Sequence, residues 1–125
     1  QLGQLRESMV RVVNDPGGTA RGSKMKGWVM AGKTGTSQNP HGDDHALFVG
    51  FAPAEAPEVL AAVVVEFGQS GSRTAAPLVS RILQGYLDRH HPEGPPPPPA
   101  PAATRPAPPT PATEGERTLP SGGAP

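Results

Sequence analysis

The stretch Ala31-Gly32-Lys33-Thr34-Gly35-Thr36-Ser37-Gln38 gathers a cation, several hydroxyls and two glycines on one short segment. Lys33 supplies the cation, Thr34 and Thr36 supply short-reach hydroxyls, and Gly35 leaves room for another backbone to approach. That set suits recognition of an anion on an extended ligand. A peptide ending in a carboxylate fits it, because such a chain can lie alongside as an added strand and gain affinity from backbone hydrogen bonds. On a regular strand Lys33 and Thr34 point to opposite faces. One of them therefore meets the ligand directly, and the other acts from beneath or along the edge.

Two other chemistries compete for these residues. Gly27 to Thr34 completes the Gly-x-x-x-x-Gly-Lys-Thr spacing of a phosphate loop, which should follow a strand and open a helix. Trp28-Val29-Met30 fills the would-be loop with bulky side chains, and Gly35 to Pro40 is a poor helix start, so the context opposes a nucleotide site. His41 and His45, with Asp43 and Asp44 between them, have the i, i+4 spacing that brings two imidazoles together on a helix. Pro40 and Gly42 oppose that helix, and a polar loop entering a strand accounts for the composition. No metal or cofactor is expected. Trp28 is read as a packing residue beside the strand, Arg73 and Thr74 as solvated loop residues, and His90-His91 as the cationic cap of a final helix.

The elements that must position the Lys33 segment follow from periodicity. Leu2, Leu5, Met9, Val12 and Val13 recur at helical spacing until Asn14-Asp15-Pro16-Gly17-Gly18 breaks the pattern. Gly27 to Thr36 reads as a strand, Ala46 to Ala52 as a second, and Val59 to Phe67, β-branched and apolar enough for burial, as a third. Gly68 to Arg73 reads as a loop. Leu78, Val79, Ile82, Leu83, Tyr86 and Leu87 form one helical face, with Pro77 in the first turn, where its missing N–H does no harm. Three adjacent strands with short connections predict an α+β fold, an antiparallel sheet flanked by helices. The core is thin and one sheet edge is left without a neighbour, which suggests part of a larger domain.

Composition sets the outer bounds. The chain has 125 residues, and its 11 basic and 11 acidic side chains cancel, so nothing favours nucleic acid or an anionic surface as partner. It has no cysteine, which excludes a disulfide framework and thiolate metal sites. No run approaches the roughly 20 apolar residues of a spanning helix. Of the 18 prolines, 12 fall between Pro95 and Pro125, where there is one leucine and no aromatic residue. Such a stretch cannot bury enough apolar surface to offset a backbone entropy of ~1–2 kcal/mol per residue. Residues 1–91 are therefore read as the folded part and 92–125 as a disordered, partly polyproline-II tail.

The folded part resembles a known family. Met30 through Gln38, then His45-Ala46-Leu47-Phe48-Val49-Gly50-Phe51-Ala52-Pro53, then an apolar strand ending in Glu66 and the helix opened by Ala76-Pro77, resemble the C-terminal part of a transpeptidase domain. The domain is that of class B penicillin-binding proteins, those of the penicillin-binding protein 2 type in particular. The likeness runs from about Leu5 to Leu87. It implies a peptidoglycan D,D-transpeptidase that cross-links stem peptides through an acyl-serine intermediate and is acylated by β-lactam antibiotics. Lys33, Thr34, Gly35 and Thr36 would hold the terminal carboxylate of the peptide or the β-lactam. The backbone N–H of Thr36 would form half of the oxyanion hole.

It further implies a parent at the inner membrane, facing the periplasm through an N-terminal anchor upstream of Gln1, with a glycosyltransferase and scaffold proteins of cell elongation as partners. A serine β-lactamase, a bifunctional penicillin-binding protein and a non-catalytic Pro-rich interaction module are the competing readings.

The family's other motifs are a Ser-x-x-Lys nucleophile and a Ser-x-Asn. Ser23-Lys24-Met25-Lys26 and Ser37-Gln38-Asn39 match these letters, but not their setting. The nucleophile should open a helix well over a hundred residues before the Lys-Thr-Gly strand, and Ser37 lies on the substrate strand itself. The nucleophile is therefore expected upstream, and the chain alone is expected to be inactive.

Overall fold

The computed structural model describes residues 1–97. The first helix, α1 (Leu2–Asn14), ends where Asp15 turns to extended backbone at φ −75° and ψ 151°. Gly18 then passes so close to the Arg11 and Val12 carbonyls that a Cβ there would overlap them. The Ala20 N–H bonds the Val12 carbonyl at 2.9 Å, and a single 3₁₀ turn follows at Arg21–Ser23. Only Val13 of α1 is buried; Leu2 and Leu5, which recur at the same helical spacing, are 82% and 58% exposed.

Three strands form one antiparallel sheet in the order β1 (Ala31–Ser37), β2 (His45–Ala52), β3 (Val59–Val65). β1 starts at Ala31 rather than Gly27. Gly27 takes φ +73°, a conformation open mainly to glycine, and the chain only then enters the extended run. The register places Gly32 opposite Gly50, Thr34 opposite Phe48 and Thr36 opposite Ala46. Ala46, Phe48 and Ala52 are buried on that face, and Val59, Ala61, Val63 and Val65 of β3 pack against the same core.

The second helix, α2 (Ala76–His90), lies on β2 and β3 with Val79, Leu83 and Leu87 fully buried. The broad apolar stripe in its sequence divides into two. Leu78, Ile82 and Tyr86, one position before each buried residue, are turned outward and exposed. The segment read as a loop up to Arg73 is instead a π-helical turn, Gly71–Ala75, that runs straight into α2. Both helices and the 20–30 connection share one core with the sheet, from Val13 through Met25, Trp28 and Met30 to Phe48 and Leu87. This is a partial α+β layer: helices cover one face of the sheet, while Leu60 and Val64 stand exposed on the other, 64% and 63% open to solvent. Among the described residues no helix is long and apolar enough to cross a membrane. The tail expectation falls mostly on residues 98–125, which lie outside those described.

Candidate functional site

Lys33, Thr34, Gly35 and Thr36 occupy the middle of β1, which among the described residues pairs with β2 alone and so has a free edge. Lys33 is exposed and pairs with Val49 on the face away from the helices, whereas Thr34 and Thr36 lie on the helix-facing side, in register with Phe48 and Ala46. The two-residue period thus separates the cation from the hydroxyls. The Lys33 side chain bends back onto its own strand, its Nζ donating to the Thr34 carbonyl at 2.8 Å. The ammonium therefore lies along the strand beside a backbone acceptor, and its remaining N–H donors are available to an incoming anion.

The two glycines of the segment have different causes. Phe48 lays its ring across Gly32, where a Cβ would overlap it. Gly35 has ordinary space above it, with only Leu47 Cβ at 3.4 Å from a built Cβ. The close neighbour of Gly35 is another backbone, that of Gly71. A Cβ on Gly71 would overlap the Leu47 carbonyl and come within 2.8 Å of the Gly35 carbonyl. The π turn thus abuts β1, a contact that sequence reading missed. Its only trace there is the glycine itself within Gly68-Gln69-Ser70-Gly71.

The residues after β1 are tied to the end of β3. The Asn39 N–H donates to Asp44 Oδ1 at 3.2 Å, Asn39 Nδ2 to the Asp43 carbonyl at 3.3 Å, and the His41 N–H to Asn39 Oδ1 at 3.0 Å. Gln69 spans the gap, donating from Nε2 to Asp43 Oδ2 at 3.1 Å and from its N–H to the Asp44 carbonyl at 2.8 Å. His45 Nδ1 accepts the Phe67 N–H at 3.1 Å, and the two rings meet edge to face at 5.3 Å. His41, Asp43, Asp44 and His45 thus serve loop geometry, and among the described residues no three His, Asp or Glu side chains converge as metal ligands.

Other singled-out residues fall elsewhere. Ser23 is buried, and its Oγ has no hydrogen-bond partner among the described residues. Lys26, three residues on, is exposed, and its backbone is clasped by Gln84. Trp28 is buried against His91 at 5.3 Å between rings. Thr74 is not a solvated loop residue: its hydroxyl donates to the carbonyls of Gly68 and Ser70 from inside the π turn. His90 does cap α2, with Nδ1 2.8 Å from the Tyr86 carbonyl, but His91 lies beyond the helix and pairs with Glu58 at 2.8 Å. That hydrogen bond holds His91 above the ordinary imidazole value of 6.5; partial burial opposes the shift, and the charge of Glu93 adds to it.

Residues 1–84 match the family described as penicillin binding protein transpeptidase domain. The chain belongs to that family. It is 36% identical over 99 residues to peptidoglycan D,D-transpeptidase MrdA of Acinetobacter baumannii, covering 67% of this chain and 14% of that protein. It is 35% identical over 94 residues to the probable peptidoglycan D,D-transpeptidase PbpC of Pseudomonas aeruginosa, covering 67% of this chain and 16% of that protein.

Among solved structures, PBP2 of Pseudomonas aeruginosa in complex with WCK 5153 superposes with a TM-score of 0.60 at 45% identity, over 66% of this chain and 18% of that one. The complex of PBP2 with MreC from Helicobacter pylori gives 0.60 at 34% identity, over 71% and 17%. The chain thus spans about a seventh of the length of the curated relatives it matches.

Proposed function

We propose that this chain forms the substrate-strand portion of a peptidoglycan D,D-transpeptidase, binding the terminal carboxylate of a stem peptide, or of a β-lactam, along the free edge of β1. The observation that carries the reading is an edge strand with Lys33 folded along it, in a chain that belongs to the transpeptidase-domain family. Lys33 supplies the charge that holds the carboxylate, and Thr34 and Thr36 add hydroxyl donors from the other face. Gly35 keeps the strand free of a side chain where the ligand backbone crosses. The Thr36 N–H is one donor to the oxyanion that forms when the carbonyl is attacked; a donor in that role is worth about 3–4 kcal/mol of barrier.

The attacking hydroxyl comes from outside these residues, as a serine presented beside the free edge of β1. Ser23 is buried in the core, and Ser37 lies on the substrate strand. On this reading residues 1–91 are the C-terminal part of the catalytic domain, 92–125 are a Pro-rich extension, and the parent works at the inner membrane facing the periplasm. A MreC-like scaffold and a glycosyltransferase would be its partners, the former by analogy with the Helicobacter pylori complex.

The test is a graft of residues 1–91 in place of the matching stretch of the Pseudomonas aeruginosa PBP2, labelled with a fluorescent penicillin. Lys33→Ala is expected to lower the acylation rate by about 10- to 100-fold, the worth of a hydrogen bond to a charged group. Lys24→Ala and Lys26→Ala should leave the rate unchanged. Equal rates for all three variants would remove the assignment.

A further inference from the structure

Beyond β1 the chain makes a closed circuit. Ser37 ends the strand, residues 38–44 form the loop, and the loop is bound through Asp43 and Asp44 to the corner that leaves β3. From that corner the chain enters the π turn, whose Gly71 returns to press on Gly35. The C-terminal half of β1 is therefore held from two sides by one continuous segment, Phe67–Gly71.

Backbone strain accompanies this arrangement. Phe67 and Gln69 take φ +55° and +60°, the left-handed region, although neither is glycine. Each such residue is strained and persists only where its surroundings over-determine it. The surroundings are visible here: Phe67 gives its N–H to His45, its ring packs beside Gly42, and Gln69 is tied through both its amide side chain and its N–H. Thr74 locks the same corner from below, through the Gly68 and Ser70 carbonyls at 3.1 and 2.7 Å.

We propose that Gln69 and Asp43 are positioning residues for the substrate strand. Their bond fixes the β1–β2 loop, and with it the placement of Gly35 and Thr36 relative to a bound carboxylate and oxyanion. This rests on the assignment of β1 as the substrate strand and adds residues to it that touch no ligand. The sensitivity follows from geometry, since a displacement of about 1 Å at a reacting centre costs on the order of 100-fold in rate. An unbraced loop of seven residues, 38–44, can move that far.

Two measurements test the proposal. In the 125-residue chain, Gln69→Gly and Asp43→Ala are expected to speed hydrogen exchange of the Asn39 amide by about 10-fold or more, while Asp43→Asn, which keeps an acceptor oxygen, holds it near the parent rate. In the grafted enzyme described above, Gln69→Gly and Asp43→Ala should slow acylation by about 10-fold, with Asp43→Asn again restoring it.

Gln69→Gly separates positioning from stability. Glycine relieves the left-handed strain, so the melting temperature should hold or rise even as the rate falls. Parent-like acylation by Gln69→Gly and Asp43→Ala, in a graft where Lys33→Ala still fails, would overturn the positioning role and leave the substrate strand standing. A harmless Lys33→Ala would overturn the substrate strand itself, with the exchange data still deciding whether the brace exists.

Discussion

Gly32 and Gly35 are each the glycine of a short polar strand, yet they answer to different neighbours. The Phe48 ring occupies the space of a Gly32 Cβ, so Gly32→Ala must displace a fully buried aromatic and is expected to cost about 1–3 kcal/mol. Gly35→Ala meets only an ordinary contact with Leu47 and should cost under about 1 kcal/mol. Urea melts of the two variants make the comparison. Ser23 offers a second test at the same scale. Its hydroxyl is buried without a partner among the described residues, and leaving such a group unsatisfied costs about 1–3 kcal/mol. Ser23→Ala is therefore expected to be neutral or stabilising by about 1 kcal/mol in the same melts, the opposite of what a nucleophile held by a base network would show. Incubated with a fluorescent penicillin, the 125-residue chain should gain no adduct by intact mass. A stoichiometric adduct lost in Ser23→Ala would make Ser23 the nucleophile after all.

At the level of elements, the end of α2 is pinned to the β2–β3 turn by one ionisable contact. His91 reaches Glu58 at 2.8 Å and Glu93 at 3.8 Å, and packs on Trp28. Because the hydrogen bond to Glu58 raises the folded-state pKa of His91 above its unfolded value, the protonated form is the one that favours folding. The contribution is complete below the ordinary imidazole range and is lost as pH rises through the raised value. Melting temperature should accordingly fall between about pH 6 and pH 8, the window in which histidine changes charge. Glu58→Gln should flatten that slope while leaving the melt at the alkaline end nearly unchanged. An undiminished slope in Glu58→Gln would assign the titration to another group. The contact is partly exposed, so the effect is a modest one, further weakened by salt.

Among the described residues the sheet is covered on one face only. β3 is apolar on both of its faces, from Val59 to Val65, and among the described residues pairs only with β2, which leaves it a free edge as well as the exposed Leu60 and Val64. A long apolar strand with an unpaired edge is a template for pairing with another chain. Glu58 and Glu66 flank it and oppose stacking in some registers, but no charge interrupts the strand. The isolated chain is expected to self-associate as concentration rises, and Val64→Lys, placed on the open face, should hold it monomeric. Sedimentation velocity of both proteins over a concentration series decides this, and a parent chain that stays monomeric throughout would show the edge to be protected in solution.

Much of this was written into the order of residue types. The breaker after Asn14, the three strands and the final helix follow from local periodicity and turn chemistry, which act over a few residues and need no partner. That Lys33 parts from Thr34 and Thr36 across β1 was legible for the same reason, since strand alternation alone separates the cation from the hydroxyls. The tertiary structure decided which half of an apolar stripe is core. Leu2, Leu5, Leu78, Ile82 and Tyr86 have the composition of buried residues, but only the surfaces present fix what covers them. It also decided the corner. Gln69, Asp43 and Thr74 look like ordinary loop residues, because their hydrogen bonds join positions as far as 26 apart in the chain, and such pairings exist only once β2 and β3 have paired and brought them together.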